Sequence, residues 1–186
     1  CGKDFELSLA EKILLDILSN SKSSMLTAVV ASVVVASPDK FFNVACILFQ
    51  SIEYIAADNL RGLSENHVMS ISSGKYPAFY QQVQYKSNQL PHRKMTLEQI
   101  CFNYQFMGVK GENEENNRSH IQQIYSIIDN LNENLQKKQE KSVEYEVLIA
   151  RIDRRKNKPQ IVSEKDNQVL VQFETQLAPE VKQTSE

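Results

Sequence analysis

Residues 25–36, "MLTAVVASVVVA", are twelve positions without a charged side chain, closed by Ser37, Pro38, Asp39 and Lys40. A helix that spans a bilayer needs about 18 to 20 mostly apolar residues, whereas a run of about 10 to 14 suits a buried core helix. Thr27 and Ser32 interrupt even this run. Ala28, Ala31, Ser32 and Ala36 are small enough to let neighbouring helices approach closely. The run therefore predicts a helix that does not span a membrane and is buried on most sides, in the middle of a stack.

The flanking segments supply that stack. Leu7, Leu9, Ile13, Leu14, Ile17 and Leu18 recur at helical spacing, with Glu6, Lys12 and Asp16 on the outside. "SNSKSS", residues 19–24, breaks this helix and offers serine N-caps to the next. After Pro38, "DKFFNVACILFQ" restarts a helix, with proline and Asp39 both favourable near its start. Three helices in about fifty residues, joined by short polar breaks, read as an irregular antiparallel helical stack of the α-solenoid kind. No repeat of fixed period is visible, which sets aside regular armadillo or tetratricopeptide arrays.

Downstream, residues 55–63 continue as a less regular helix. Residues 64–94, with Gly74, Pro77 and Pro91, read as loop-rich with one short helix near residues 79–85. "MTLEQICFNYQFM" carries a Thr96 cap followed by an apolar face of Leu97, Ile100, Cys101 and Tyr104. "GVKGENEENNRS" is the best internal boundary. Beyond it Ile121, Ile124, Tyr125, Ile128, Leu131 and Leu135 follow a heptad-like pattern. That pattern is too short for a coiled coil, which takes at least three or four heptads, so it predicts an amphipathic helix packed on the body. "VEYEVLIARIDRRK" aligns Tyr145, Leu148, Ile149 and Ile152. "KPQIVSEKDNQVLVQFE" then changes period and predicts a β-hairpin with a polar turn. The chain thus divides into a helical stack over residues 1–110, long amphipathic helices over 111–158, a β-hairpin over 159–175 and a tail over 176–186. The fold class is mainly α, with a C-terminal β-hairpin.

A length of 186 residues suffices for a real core. The scarcity of glycine and proline, five of each, favours long helices over turn-rich β architecture. A net charge of −2 argues against wholesale nucleic-acid binding, which needs a large positive excess. Cys1, Cys46 and Cys101 are far apart and odd in number, which indicates neither a zinc site nor a disulfide framework and favours a reducing, cytoplasmic environment. A first residue of cysteine raises two readings, a lipidated N-terminus or a piece of a longer protein. The patterned helix that begins within about six residues, in place of a flexible polar tether, favours the second.

The order of these elements carries a resemblance. An amphipathic helix, a serine/asparagine break and an apolar Ala/Val helix lead to "LPHRK". "ARIDRRKNKP" then precedes a polar hairpin ending in "LAPEVKQTSE". This is similar to the helical region downstream of the nucleotide-binding domain in very large bacterial ATP-binding proteins. Those resemble signal-transducing, STAND-like P-loop NTPases implicated in anti-phage defence. The resemblance implies a non-catalytic scaffold, sensor or interdomain spacer whose ATPase site lies elsewhere. Its partners would be other domains of the same protein or further proteins, and no catalytic residue carries over.

The residues themselves agree with a chain that is not an enzyme and holds no cofactor. His67, His92 and His120 are not at ligand spacing. Cys101 lies on an apolar helix face, where free cysteine behaves as a small hydrophobe. Glu112, Glu114 and Glu115 sit in a polar break as solvated charge. Gly74-Lys75 fails as a P-loop, because Met69 and Tyr76 stand where the motif needs glycine and a hydroxyl residue. One charge feature rises above background. "RIDRRKNK" has five basic residues, Arg151, Arg154, Arg155, Lys156 and Lys158, against one acid. Such a segment contacts nucleic-acid phosphate or another acidic surface, or it anchors acidic neighbours within the chain, such as the 112–115 run. No aromatic side chain is interleaved with it to support base stacking, and the internal role is the expectation.

Overall fold

The computed structural model describes residues 2–71, 78–90, 93–137, 142–165 and 168–177. Within them eight α-helices precede one hairpin. The helices are α1 (Gly2–Asn20), α2 (Ser24–Ala36), α3 (Phe42–Phe49), α4 (Ile52–Ile71), α5 (Ala78–Asn88), α6 (Leu97–Met107), α7 (Glu114–Lys137) and α8 (Val143–Ile152). The strands β1 (Asn157–Lys165) and β2 (Gln168–Thr175) pair antiparallel, with an irregularity between Ile161 and Ser163. The chain is mainly α with a C-terminal two-stranded hairpin, the class its periodicities predict. Cys1, Gly74-Lys75, His92 and residues 178–186 of the tail lie outside the described residues.

Local chemistry explains most of the boundaries. Thr96 and Gln99 form a reciprocal capping box at the start of α6, each side chain satisfying the other's backbone N–H. Ser142 accepts from the Tyr145 N–H at the start of α8. Pro38 opens a single 3₁₀ turn, Pro38–Lys40, and α3 begins only at Phe42, so the restart after the proline is split in two. The long α7 has Glu114 and Glu115 in its first turn and Lys137 in its last, the order that suits the helix dipole.

The core is one cluster drawn from α1 to α4 and α6 to α8. α6 is its central member and packs against α2, α3, α4, α7 and α8. Residues on both sides of the polar break at 108–113 therefore share one interior. On α7 the buried residues are Ile124, Ile127, Ile128, Leu131 and Leu135, an amphipathic stripe laid on the body. On α8 they are Leu148, Ile149, Ala150 and Ile152, with Tyr145 packed beside them.

Three expectations need correction. The charge-free helix α2 is buried on one side only. Val30, Ala31, Val34 and Val35 face the core, whereas Met25, Leu26 and Val29 are exposed and Val33 lies on the boundary. A helix apolar all round gives no internal signal of which face is covered, so its neighbours alone decide. On α1, Leu14 is buried in the core and Ile17 and Leu18 pack against it as expected, together with Ala10 and Leu15, while Leu9 and Ile13 are exposed. The region after Leu63 is more helical than expected. α4 continues to Ile71 through residues 64–71, which contain no glycine or proline to break it, and α5 is a helix of eleven residues.

Candidate functional site

The basic segment is the junction between the last helix and the hairpin. Arg151 ends α8, Arg154 to Lys156 form a 3₁₀ turn, and Asn157 opens β1. Each arginine meets partners inside the chain. Arg151 Nη2 lies 2.8 Å from Glu98 Oε1, and the other oxygen of Glu98 accepts from Asn59 of α4 at 2.5 Å. Arg154 donates through Nη1 to the Gln105 carbonyl at 2.6 Å, and its guanidinium lies 4.9 Å from the centre of the Phe106 ring.

Arg155 serves two carboxylates. Its Nε and Nη2 donate to Asp153 at 2.9 and 3.0 Å, and Nη1 and Nη2 reach Asp129 of α7 at 3.2 and 2.5 Å. Its guanidinium also stacks 4.5 Å from the centre of the Tyr125 ring. Hydrogen bonds to Asp153, and then to Asp129, raise the Arg155 pKa above its ordinary value. The same hydrogen bonds hold the Asp129 carboxyl below its usual range.

The acidic partners are thus Glu98, Asp129 and Asp153. The 112–115 run is not among them. Glu112 instead accepts from Asn116 and Glu114 from Arg118, both on the surface. Lys156 is half-buried and Lys158 exposed, with Lys158 opposite Glu174 in the hairpin register.

Two amides complete the junction, and sequence reasoning passed over both. Gln105, fully buried on α6, donates to the carbonyls of Cys101 and Ile152 and accepts from the Arg154 N–H at 3.0 Å. Asn157 donates to the carbonyls of Ala150, Arg151 and Asp153 at the end of α8, and accepts from the Thr175 hydroxyl at 2.7 Å. The available signal for Gln105 was an amide one turn after Cys101, on the apolar face of α6. A buried amide there implies a backbone end to satisfy. Phe173 of β2 then meets Phe102 and Phe106 edge-on at 5.0 and 5.5 Å, which seats the base of the hairpin on α6.

The groups with nucleophilic or ligating chemistry form no cluster at this junction, although Cys101 adjoins it through Gln105. Cys101 is buried, and burial pushes its thiol up. Cys46 is raised by burial to about 12. Both are neutral hydrophobes at ordinary pH. His120 stacks on Phe42 with ring centres 4.0 Å apart, and its Nδ1 is buried without a hydrogen-bond partner. Among the described residues no set of three or more His, Cys, Asp or Glu is placed to share a metal ion.

The other candidate surface is a groove of roughly 510 Å³ beside α2, lined by Met25, Val29, Val33, Ala36, Arg61 and Arg93. Arg61 is committed at its edge, to Asp58 at 2.7 Å and to the Met95 carbonyl at 3.1 Å. No helix of the described residues is long and apolar enough to cross a membrane. No known family profile matches the chain, and no curated protein matches it in sequence.

Proposed function

We propose that this chain is a non-catalytic helical module, a scaffold, sensor or interdomain piece of a larger bacterial ATP-binding protein. The wider setting, anti-phage defence included, comes from the resemblance in "ARIDRRKNKP" and the hairpin after it, and the cytoplasmic setting from the three scattered cysteines. The observation that carries the module reading is the internal commitment of Arg151, Arg154 and Arg155. They tie α6, α7 and α8 to the hairpin: Arg151 pairs with Glu98, Arg155 with Asp129 and Asp153, and Arg154 bonds to the Gln105 carbonyl. The apolar outer side of α2 supports the same reading, since a neighbouring domain or protein would cover it.

The alternative is a free-standing nucleic-acid module built on residues 151–158. It would have to work with Arg154, Lys156 and Lys158, which are too few for tight phosphate binding at ordinary salt.

Titration calorimetry with magnesium-ATP on this chain tests the module reading. The expected result is no saturable heat, and micromolar binding would overturn it. The reading frame around the chain supplies the second test. A P-loop domain encoded upstream supports the larger-protein setting, and its absence removes that setting.

A further inference from the structure

The hairpin has two strand edges, and one backbone bond fixes which groups stand on them. The Gln176 N–H donates to the Lys156 carbonyl at 2.8 Å, one step beyond the pair of Asn157 with Thr175. Bonded and non-bonded positions alternate along an antiparallel pair. Lys158 with Glu174 and Gln160 with Gln172 are therefore the positions bonded across the hairpin. Asn157, Pro159 and Ile161 turn their backbone groups out along the edge of β1. Thr175, Phe173 and Val171 turn theirs out along the edge of β2.

The two edges are not alike. On β1, Pro159 has no N–H to offer outward, the irregularity between Ile161 and Ser163 breaks the repeat, and Lys158 and Lys165 add charge. Proline, bulges and lysines are the devices that close an edge to a further strand. β2, "QVLVQFET", has no proline and one charged residue, Glu174, and the extra residue of the irregularity lies on β1. Val171 is 40% exposed. Among the described residues β2 pairs with β1 alone, and a two-stranded unit is marginal by itself in water. The base of the hairpin is seated on α6 through Phe173, which leaves the edge at Val171 open.

We infer that β2 pairs antiparallel with β2 of a second copy of this chain, joining two hairpins into a four-stranded sheet about a two-fold axis at Val171. The strand is self-complementary in that register. An antiparallel pairing centred on a residue sets odd positions against odd ones, so the outward backbone groups of the copies meet and the sheet keeps its faces. At the axis the two Val171 residues exchange both hydrogen bonds, and Phe173 falls opposite position 169, a valine. Glu174 falls opposite position 168, a glutamine, so the one charge of the strand does not meet its copy. An axis at Gln172 instead sets Glu174 opposite position 170, a leucine. The closed edges of β1 then stop the sheet at four strands, and the assembly at two copies. The inference uses none of the arginine pairs that carry the module reading and holds or fails independently of it.

Sedimentation equilibrium of the full chain from about 5 to 200 µM tests it, the range suited to a small interface. The expected result is a reversible monomer–dimer equilibrium. Val171→Pro gives β2 the same closure that Pro159 gives β1, removes the N–H groups at the axis and should leave monomer alone. Should that variant fail to fold, a charge pair at the same exposed position decides. Val171→Lys and Val171→Glu each set like charges across the axis and should each weaken dimerisation about fivefold. An equimolar mixture of the two should recover it, with unchanged circular dichroism throughout. Amide exchange within residues 169–175 should slow as concentration rises. A chain that stays monomeric at the highest concentration would overturn the inference. So would undiminished association of Val171→Lys, a mixture that recovers nothing, or a dimer lost through Met25→Asp with Val29→Asp on the open side of α2.

Discussion

Arg155 holds two carboxylates of opposite character, Asp153 almost fully buried and Asp129 more than half exposed. Removing the guanidinium would strand Asp153 away from water, which is where most of the energetic penalty lies. The Asp129 contact is screened by solvent and contributes less. Its effect is visible through pH. Asp129 has a folded pKa below its unfolded value of about 4, so its contribution is complete above that value and is lost as pH falls through the lower, folded one. Asp129→Asn should therefore lower the urea midpoint at pH 7, and the deficit should shrink as the pH falls below the unfolded value of about 4. A variant gap that persists undiminished in acid would show that Asp129 acts by packing instead of charge. Asp153 lies within "RIDRRKNK", two residues before Arg155, but the other two partners were not legible there, because Asp129 on α7 is 26 positions before Arg155 and Glu98 on α6 is further from Arg151. Only the excess of charge was.

At the scale of the elements, the turn between α6 and α7 depends on one glycine far more than on the other. Gly108 has φ 74° and ψ −172°, a region that side-chain-bearing residues avoid. A Cβ there would lie 2.6 Å from Asn117 Oδ1, the atom that accepts from the Val109 N–H at 2.7 Å. Gly111 also has a positive φ, 94°, but a Cβ on it would meet nothing within 4 Å. Gly108→Ala should thus cost about 2 to 4 kcal/mol, through backbone strain and a displaced hydrogen bond, and Gly111→Ala about 1 kcal/mol. Equal shifts of the two variants in urea unfolding would contradict this account. The break itself was readable from its glycines and polar residues, and the α6 cap from Thr96. The extent of α4 was less so, since a segment without glycine or proline can continue a helix or leave it according to what it packs against.

For the whole molecule, the division of α2 into a covered and an open side reverses an expectation. Burial on most sides would put Val33 and Val34 alike in the core, but Val33 is 36% exposed at the edge of the groove, whereas Val34 is 0% exposed. Val34→Asp would put an unpaired carboxylate among apolar side chains, at a cost of several kcal/mol and about 3 to 5 if it stays charged. Val33→Asp can turn its carboxylate towards solvent and should cost about 1 kcal/mol. Circular dichroism melts of the two variants separate the cases. A Val33→Asp chain that fails to fold would mean that the outer side of α2 is covered after all.

The division between sequence and tertiary structure follows the range of the forces involved. Helix spacing, serine and threonine caps, the breaks at Pro38 and Gly108, and the alternation that begins the hairpin are local, so residues within one or two turns determine them. Which face of a uniformly apolar helix is covered depends on helices far away in sequence. The same holds for the choice of Glu98 by Arg151 and of Asp129 by Arg155, and for the outward display of Phe79 and Tyr85. Those outcomes arise from packing α6 against five other helices at once, and periodicity within one segment carries no information about them.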